Sequence, residues 1–273
     1  MNSPIEFTKM AASGNDFLVL DNRGLKLRIP DSELPLLAKR LCQRRFSVGA
    51  DGLLVIEESK KADYRMRIFN PDGSEVTMCG NGSRCAALYA VEKGIAKKDH
   101  RIETLAGLLE ANVDGRRARV KLADPRMLRL DFEIDIGGDA HRVSYINTNV
   151  PHAVYFVDDL EGADVKGLGA ATRYHKEFAP EGTNADFVKV KGEKSINIRT
   201  YERGVEGETL ACGTGAVASA IVSAILKGVK SPVDVETKGG EVLKIYFDLK
   251  DDLAKDVYLE GNAEIIYEGK VLQ

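Results

Sequence analysis

The chain carries two versions of one stretch, MCGNGSRCAALYAVEKG at residues 78–94 and ACGTGAVASAIVSAILKG at residues 211–228. Each version begins near Cys-Gly-x-Gly, continues as a run of small and apolar residues, and ends at Lys-Gly. A helix that is apolar on every side is normally buried all round, and a glycine after the last turn readily takes the left-handed conformation that ends a helix. We therefore predict two buried helices, each beginning at a Cys-Gly-x-Gly turn.

The similarity between the two halves extends upstream of these stretches. A run that alternates polar and apolar residues, as strands do, precedes each one at 64–69 and 195–201. Before these runs, residues 34–58 and 167–190 each read as a helix followed by a strand. The order of strand, helix, strand, strand, Cys-Gly-x-Gly and helix therefore occurs twice, which indicates an internal repeat.

The repeat predicts an α+β fold of two pseudo-symmetric domains. We expect each domain to be a mainly antiparallel β-sheet or barrel wrapped around a central buried helix, with the active site in the cleft between the domains. We place the N-terminal domain, which carries Cys79, at residues 1–123 plus 262–273. The C-terminal domain, which carries Cys212, is placed at residues 124–261.

Periodicity predicts further elements. A surface-type helix is expected over residues 33–45, with Asp31 or Ser32 as its N-cap. Further strands are expected at 17–20, 53–56, 101–104, 116–122, 153–157, 186–190, 233–237, 242–247 and 263–267.

Composition narrows the class of protein. The 273 residues are 44% hydrophobic and 30% charged, with a net charge of −3, so there is no basic excess that would favour nucleic acid. No stretch approaches the roughly 20 apolar residues that cross a bilayer, so no membrane association is expected. The first 20 residues do not resemble a signal or transit peptide. We expect a cytoplasmic protein that acts on a small molecule.

The four cysteines are expected to be reduced thiols, since a chain of this size without a secretion signal seldom forms disulfides. Cys79 and Cys85 are separated by five residues and have no nearby histidine, so a metal site is not expected. Cys85 and Cys42 lie on apolar helix faces and are interpreted as core residues.

Cys79 and Cys212 are candidates for catalysis. The glycines of each turn permit a tight bend and leave first-turn backbone N–H groups open to an anion. A thiol at a helix start lies near the positive end of the helix dipole, which lowers its pKa from about 8.5. Two such thiols related by a repeat suggest an acid and a base on opposite faces of one amino-acid α-carbon. The N–H groups would stabilise the enolate-like intermediate, so pyridoxal phosphate would be unnecessary and no cofactor is expected.

At these residues the sequence resembles the diaminopimelate epimerase family, essentially from end to end. The resemblance implies cofactor-free, two-base interconversion of LL- and meso-diaminopimelate, a step towards lysine and peptidoglycan precursors, in a homodimer. The matching segments are SGNDF (13–17), GADGL (49–53), FNPDGSE (69–75), MCGNGSRC (78–85), VPH (150–152), EGTNADF (181–187) and YERGVEGETLACGTGA (201–216).

The resemblance also implies roles for single residues. Cys79 and Cys212 match the catalytic thiols. His152 and Glu202 match residues beside the reacting centre, where they would orient the amine and help set thiol protonation; Glu202 would also contact substrate. The remaining residues that match substrate-binding positions are Asn15, Asn70, Asn184 and Arg203, together with Gly80, Asn81, Gly213 and Thr214, whose backbone amides would receive the reacting carboxylate.

The sequence departs from the family pattern at two positions. Gly52 stands where some members have a polar residue, often glutamine, and Val150 stands where some have asparagine. One or two of the side-chain contacts to substrate that those members make are therefore not expected here.

Other functions remain open from the sequence. A proline racemase or hydroxyproline epimerase shares both cysteine turns but typically has histidine where Asn81 stands. The phenazine-pathway isomerases keep the fold without the thiol pair, so the two cysteines argue against that function. In another class, Cys79 and Cys212 would cycle through a disulfide in a thiol redox protein.

Overall fold

A computed structural model of the chain describes residues 4–25 and 29–272. The chain divides into two compact units. The first unit consists of Met1–Lys121 and Gly261–Gln273, and the second consists of Leu122–Glu260.

Within the described residues, both units contain more strands than helices, and each unit has two α-helices. The first unit contains β1 (Ile5–Ala12), β2 (Asn15–Asp21), α1 (Leu34–Leu41), β3 (Gly52–Glu57), β4 (Tyr64–Phe69), β5 (Glu75–Val76), α2 (Gly80–Glu92), β6 (Asp99–Thr104), β7 (Gly107–Asp114) and β8 (Arg117–Lys121). The second contains β9 (Arg126–Ile136), β10 (Asp139–Asn147), β11 (Pro151–Phe156), α3 (Val165–Arg173), β12 (Asn184–Gly192), β13 (Ser195–Glu202), β14 (Gly207–Thr209), α4 (Gly213–Lys227), β15 (Val233–Glu236), β16 (Val242–Lys250) and most of β17 (Leu253–Asn262). The last strand, β18 (Glu264–Val271), belongs to the first unit.

The strand pairs of the first unit are mostly antiparallel. β1 pairs in this way with β2 and β18, β4 pairs with β3 and β5, and β6, β7 and β8 form a meander. Two pairs are parallel, β2 with β3 and β4 with β6, and a helix lies in the connection of each. Parallel neighbours require such a crossover, so α1 and α2 are the elements that the sheet order demands.

The second unit repeats this pattern strand for strand. β10 pairs antiparallel with β9 and β11, β13 pairs with β12 and β14, and β15, β16 and β17 form the meander. The parallel pairs are β11 with β12 and β13 with β15, across α3 and α4. The predicted α+β fold of two repeated, mainly antiparallel units is confirmed.

α2 and α4 are the central helices of their units. Residues 81–90 of α2 and 215–224 of α4 are buried throughout. α2 contacts β1, β2, β7 and β8, and α4 contacts β10, β11, β12 and β16. Both helices stop at the expected glycine, since Gly94 has a φ of 64° and Gly228 a φ of 69°. The prediction of two buried helices with glycine ends is confirmed.

The outer helix α1 is shorter than predicted. Its N-cap is Glu33 rather than Asp31 or Ser32, because those two residues belong to a short 3-10 helix that precedes it. The helix ends before Arg45, whose φ of 74° is incompatible with a right-handed helix. Its apolar face, formed by Leu34, Leu37 and Leu41, packs on β2 and β3 in the core of the first unit.

Within the described residues, no helix is both long enough and apolar enough to span a membrane.

The outer helix of the second unit lies very close to its sheet at Gly169. A Cβ atom there would lie 2.6 Å from the Cβ of Tyr201 on β13. We predict that Gly169→Ala lowers the free energy of unfolding by about 1–3 kcal/mol, because the core must shift to admit one methyl group. Gly207→Ala is the control, since a Cβ at Gly207 meets nothing within 4 Å. Chemical denaturation measures both, and equal stability of the two variants would contradict this close packing.

Candidate active site

The two Cys-Gly-x-Gly turns have the same backbone geometry. Cys79 and Cys212 are the N-cap residues of α2 and α4, with extended φ, ψ values of −144°, 121° and −122°, 111°. The first intrahelical bond runs from Ser83 N to the Cys79 carbonyl at 2.8 Å, and from Ala216 N to the Cys212 carbonyl at 2.9 Å. The amides of the intervening residues, Gly80 and Gly213 among them, therefore precede the intrahelical ladder.

In the first unit, Asn15 and Asn81 are joined by a directional hydrogen-bond chain. The Asn81 amide nitrogen donates to Asn15 Oδ1 at 2.6 Å, and the Asn15 nitrogen donates to Asp51 Oδ2 at 3.2 Å. At the other end, the Arg84 guanidinium donates to Asn81 Oδ1 at 2.6 Å. Because a guanidinium only donates and a carboxylate only accepts, the orientation of both amides is fixed.

The carboxylate end of this chain belongs to an ion-pair cluster. Arg44 binds Asp16 and Asp51, at 2.5 and 2.8 Å, and Lys9 lies 2.6 Å from Asp16. Burial opposes ionisation of Asp16, but the hydrogen bonds from Arg44 and Lys9 outweigh it and lower the pKa of Asp16 to about 2. The cluster holds the loop that presents Asn15.

Asn70 is not brought to this chain. Its side chain donates to Ser74 Oγ at 3.0 Å, and its carbonyl accepts from Gly73 N at 2.9 Å, so its hydrogen bonds close the turn in which it lies. Cys79, which is half-buried, begins the helix that carries Asn81.

In the second unit, five side chains form a continuous hydrogen-bonded chain that ends at Cys212. Thr200 Oγ1 lies 2.7 Å from Asp186 Oδ1, and Asp186 Oδ2 lies 2.7 Å from His152 Nδ1. His152 Nε2 lies 2.9 Å from Thr214 Oγ1, which in turn lies 3.5 Å from Cys212 Sγ. The side chains of His152 and Asp186 are fully buried.

Asn184 and Arg203 join this cluster from the side. Asn184 Nδ2 lies 3.3 Å from His152 Nε2, and its Oδ1 accepts from the backbone N–H of Arg203 at 2.7 Å. The Arg203 guanidinium donates to the Glu181 carbonyl at 3.0 Å. Both ring nitrogens of His152 are therefore engaged within the protein, and its contact with a substrate amine stays a prediction.

Glu202 is an acid in a buried position. Burial raises the pKa of Glu202 above its ordinary value of 4.5, while hydrogen bonds from the Thr209 hydroxyl and the Cys212 thiol act in the opposite direction. A carboxyl group with a raised pKa next to a thiol holds a proton more readily than an ordinary carboxylate does.

The pKa of Cys212 differs from the sequence-based expectation. Burial raises the pKa of this thiol well above the ordinary 9.0, and the negative charges of Glu202 and Asp186 raise it further. Hydrogen bonds from the Thr214 hydroxyl and the Gly215 amide oppose the shift but do not reverse it. The prediction that the helix start lowers the pKa is therefore wrong for Cys212, because desolvation outweighs the helix amides.

Sequence reasoning missed several residues that support these clusters. Asp51, Arg84 and Asp186 all lie within quoted family motifs, yet none was selected. Asp186 carried a usable signal, because a charged residue inside an otherwise apolar strand must find a partner when that strand is buried. Within residues 4–25 and 29–272, no group of three or more His, Cys, Asp or Glu side chains is arranged to hold a metal ion.

Comparison of the sequence with known families finds one match that covers most of the chain. The family model described as diaminopimelate epimerase matches residues 7–128 and 144–266. A diaminopimelate epimerase of Aquifex aeolicus is 46% identical, with 98% of each chain covered. One of Archaeoglobus fulgidus is 44% identical over 97% of this chain and 95% of its own.

Solved structures share the fold at low sequence identity. A phenazine biosynthesis protein of the PhzF family from Bacillus anthracis has a TM-score of 0.73 at 19% identity, covering 99% of this chain and all of its own. A hydroxyproline epimerase from Agrobacterium vitis has a TM-score of 0.69 at 15% identity, and the match covers 98% of this chain and 92% of the epimerase. These likenesses support the fold alone.

The raised pKa of Cys212 predicts how this thiol titrates without substrate. The ultraviolet absorbance of its thiolate, taken as wild type minus Cys212→Ser, should appear only above pH 9. The folded state binds this proton more tightly than the unfolded state, so its contribution to stability is complete below the unfolded pKa and is lost as pH rises through the folded pKa. Thiolate absorbance at neutral pH would contradict the dominance of burial.

Proposed function

Since the chain belongs to the diaminopimelate epimerase family and is an isomerase, we propose that it interconverts LL- and meso-diaminopimelate without a cofactor. The observation that carries this proposal is the pair of N-cap cysteines, Cys79 and Cys212, at equivalent helix starts of two repeated units. Inverting a stereocentre with two bases requires one group to remove the α-proton while another delivers a proton to the opposite face.

The two thiols supply these groups in turn. In one direction, one thiolate takes the α-proton and the other thiol protonates the opposite face; in the reverse direction the roles exchange. Proton removal leaves an enolate-like dianion, and backbone N–H groups at a helix start stabilise such charge because they are already oriented. We assign this role to the first-turn amides of α2 and α4, at Gly80, Asn81, Gly213 and Thr214.

The remaining site residues recognise the rest of the substrate. A diamino diacid has a second ammonium and a second carboxylate, which polar side chains must bind. Arg203 suits a carboxylate through its planar fork, and asparagine both donates and accepts. Support comes from the fixed amide orientations of Asn15 and Asn184. We assign substrate binding to Asn15, Asn70, Asn184, Glu202 and Arg203, and orientation of the amine to His152 and Glu202.

The racemase alternative receives less support. A hydroxyproline epimerase is only 15% identical to this chain, whereas the diaminopimelate epimerases quoted above are 44–46% identical. Asn81 stands where proline racemases typically have histidine, and its amide is already held by Asn15 and Arg84. The redox alternative is weakened because thiol exchange needs an accessible thiolate, whereas Cys212 is buried and its pKa is raised.

We propose that the two compact units are the catalytic domains, and that the protein acts in the cytoplasm in lysine and peptidoglycan precursor biosynthesis. We also propose a homodimer. Three consecutive apolar side chains of β18 are exposed: Ile265 by 36%, Ile266 by 52% and Tyr267 by 45%. A group of exposed apolar side chains often marks a surface that contacts another protein chain.

The substrate is tested by deuterium incorporation. Incubation with LL-diaminopimelate in D₂O should place deuterium at one α-carbon as meso product forms, because protons reach the thiols from solvent. Incubation with proline should incorporate none. Mass spectrometry measures both, and label in proline alone would assign the chain to the racemases.

The same assay tests the thiols. Cys79→Ser and Cys212→Ser should each lose about 100-fold or more of the epimerisation rate, the scale of a lost general acid or base. Cys85→Ala is the control, because Cys85 is a fully buried thiol in α2, the helix that Cys79 precedes, and it has no role in the proposed reaction. Full epimerisation by either serine variant would refute the two-base assignment.

The dimer is tested by sedimentation. Wild type should sediment with twice the mass of one chain, and Ile266→Lys should shift it to a monomer, because a lysine there would place charge in the apolar contact. A monomeric wild type at micromolar concentration would contradict the proposal.

A further inference from the structure

Asp186 is a buried charge that the proposed reaction does not yet use. It lies on β12 between Ala185 and Phe187, and its side chain is fully buried. Taking a carboxylate out of water is costly unless it is paired and hydrogen-bonded. Both of its oxygens are engaged, Oδ1 by the Thr200 hydroxyl and Oδ2 by His152 Nδ1, each at 2.7 Å.

The first unit shows that the fold does not need this polar cluster. β2 pairs with β3 so that Phe17 lies opposite Gly52, just as His152 lies opposite Asn184 in β11 and β12. When the two units are aligned by this register, His152, Asp186 and Thr200 correspond to Phe17, Leu54 and Ile68 of the first unit. These three apolar side chains are 4%, 0% and 3% exposed.

The apolar version of these three positions therefore packs well in the same architecture. A buried polar group that an apolar side chain can replace is not explained by the fold. The three polar side chains of the second unit point to function.

The glycine-rich turn is also fitted to Asp186. A Cβ atom on Gly215 would lie 2.4 Å from Asp186 Oδ1, a distance that no side chain tolerates. The equivalent Gly82 would place its Cβ 3.2 Å from a methyl group of Leu54. A glycine at the fourth residue of the Cys212 turn, Gly215, therefore admits the carboxylate beside the helix start.

The hydrogen bonds around His152 set its tautomer. The Arg203 backbone N–H can only donate, so the atom of Asn184 that it meets is Oδ1 and the amide nitrogen faces His152 Nε2. An amide nitrogen also only donates, so Nε2 accepts. On the other side Asp186, as a carboxylate, accepts from Nδ1. Both neighbours select a neutral ring with its proton on Nδ1.

The direction of the remaining bonds follows from this tautomer. Thr214 has one hydroxyl hydrogen, and the acceptor Nε2 lies 2.9 Å from its oxygen. When that hydrogen points to Nε2, Thr214 Oγ1 can only accept from the Cys212 thiol, 3.5 Å away. The chain then runs in one direction, from Cys212 through Thr214 to His152.

We propose that Asp186 is a positioning residue for Cys212: by holding the proton of His152 on Nδ1, it keeps Nε2 as the acceptor at the end of the Cys212–Thr214–His152 chain. This role rests on the proposed function, because it explains how the second unit can store the proton that Cys212 releases. Asp186 acts through His152 and Thr214 and does not touch the substrate.

The transfer balances without another reactant. The Cys212 S–H bond breaks and its proton bonds to Thr214 Oγ1, while the hydroxyl proton of Thr214 passes to His152 Nε2. Thr214 remains a neutral hydroxyl that now donates to the thiolate. The products are a Cys212 thiolate and a His152 imidazolium, which pairs with the Asp186 carboxylate. Asn184 favours the neutral ring at rest, since its amide donates to Nε2.

Other charged groups also face Cys212. Glu202 on β13 hydrogen-bonds to the thiol, and Asp186 on β12 contributes negative charge. Glu202 is a second acceptor for the thiol proton, so the test must separate its effect from that of Asp186. The tautomer of His152 does so, because Asp186 contacts the ring directly and Glu202 is not among its hydrogen-bond partners.

The first measurement needs no substrate. Nitrogen NMR of the full chain labelled at its histidine rings, with His152 assigned by its absence in His152→Gln, should show Nδ1 protonated and Nε2 unprotonated in wild type. In Asp186→Asn the preference should be lost, because the asparagine amide can meet Nδ1 as a donor. A variant ring identical to wild type would overturn the positioning role, whatever the substrate of the enzyme.

The second measurement is kinetic. Asp186→Asn should lower kcat for LL-diaminopimelate by about 10- to 100-fold, the size found for groups that orient histidine ligands. KM should change little, because Asp186 does not touch the substrate. Asp234→Asn is the control, an identical change on β15 beside the other end of β13. A kcat equal to wild type in folded Asp186→Asn would overturn the proposal.

Variants at Thr214 test the chain if Asp186→Asn does not fold. Thr214→Val removes the hydroxyl and should lower kcat to a similar extent, whereas Thr214→Ser keeps it and should restore most of the rate. Combining Asp186→Asn with Thr214→Val should lower kcat no further than either alone, because both break one chain. Fully multiplicative losses, or equal rates for the valine and serine variants, would refute it. Failure of wild type to act on diaminopimelate would refute the proposed function and leave the NMR test standing.

Discussion

Each unit of this protein is organised around a helix that is enclosed by its own sheet. Enclosure requires small and apolar residues on every face, and this accounts for the alanine-rich sequences of α2 and α4. It also restricts where polar chemistry can occur. The sides of the two helices offer few polar groups, Arg84 of α2 being the main exception, whereas each helix start presents oriented N–H groups that no intrahelical carbonyl satisfies. In the proposed reaction, a cysteine at the N-cap therefore joins the buried core to the substrate.

The repeat has kept this arrangement and changed the side chains around it. In the first unit the positions beneath the helix start hold apolar side chains, and a polar residue approaches from the start of β2, where Asn15 meets Asn81. In the second unit the polar residues lie inside the sheet, on β11, β12 and β13. The same backbone register thus supports a half-buried thiol in one unit and a buried thiol in the other. A two-base reaction uses this difference, because its two thiols must hold different numbers of protons at any moment.

The sequence predicted the architecture well because the strongest signals were global. The repeat and the apolar faces of the helices are each read from many residues, so misinterpreting one residue does not change the predicted architecture. Strands β1, β5, β7, β9, β10, β14 and β17 were not predicted. β9 shows one reason, because it is largely exposed and rich in charge, so its polar and apolar positions differ little. The limits of α1 were misjudged because a 3-10 turn and a left-handed Arg45 are set by local geometry that periodicity does not encode.

The motifs selected several residues that the structure joins in hydrogen-bonded clusters, such as Asn15 with Asn81 and His152 with Asn184, but they did not give the electrostatics of those clusters. Every cysteine turn and most polar partners were identified from motifs, but hydrogen-bond direction depends on neighbours that come from distant strands. Asp186 was passed over because its partners, His152 and Thr200, lie 34 and 14 residues away. The error on the Cys212 thiol has the same origin. A helix start is visible in the sequence, whereas the degree of burial that outweighs it is a property of the folded unit.

The balance at Cys212 explains why the second unit needs a chain of polar groups rather than one base. Burial favours the neutral thiol, and the nearby carboxylates favour it further, so a thiolate there is stable only if a positive charge forms with it. Protonating a buried histidine without a nearby carboxylate would carry the full free-energy cost of keeping its cation out of water. When the Asp186 carboxylate lies beside it, the same histidine can accept the proton. The net charge of the buried region does not change, because the neutral Cys212 thiol and neutral His152 become a thiolate and an imidazolium. On this reasoning the polar residues of β11, β12 and β13 act as a single unit, and removing any one of them leaves the others poorly satisfied.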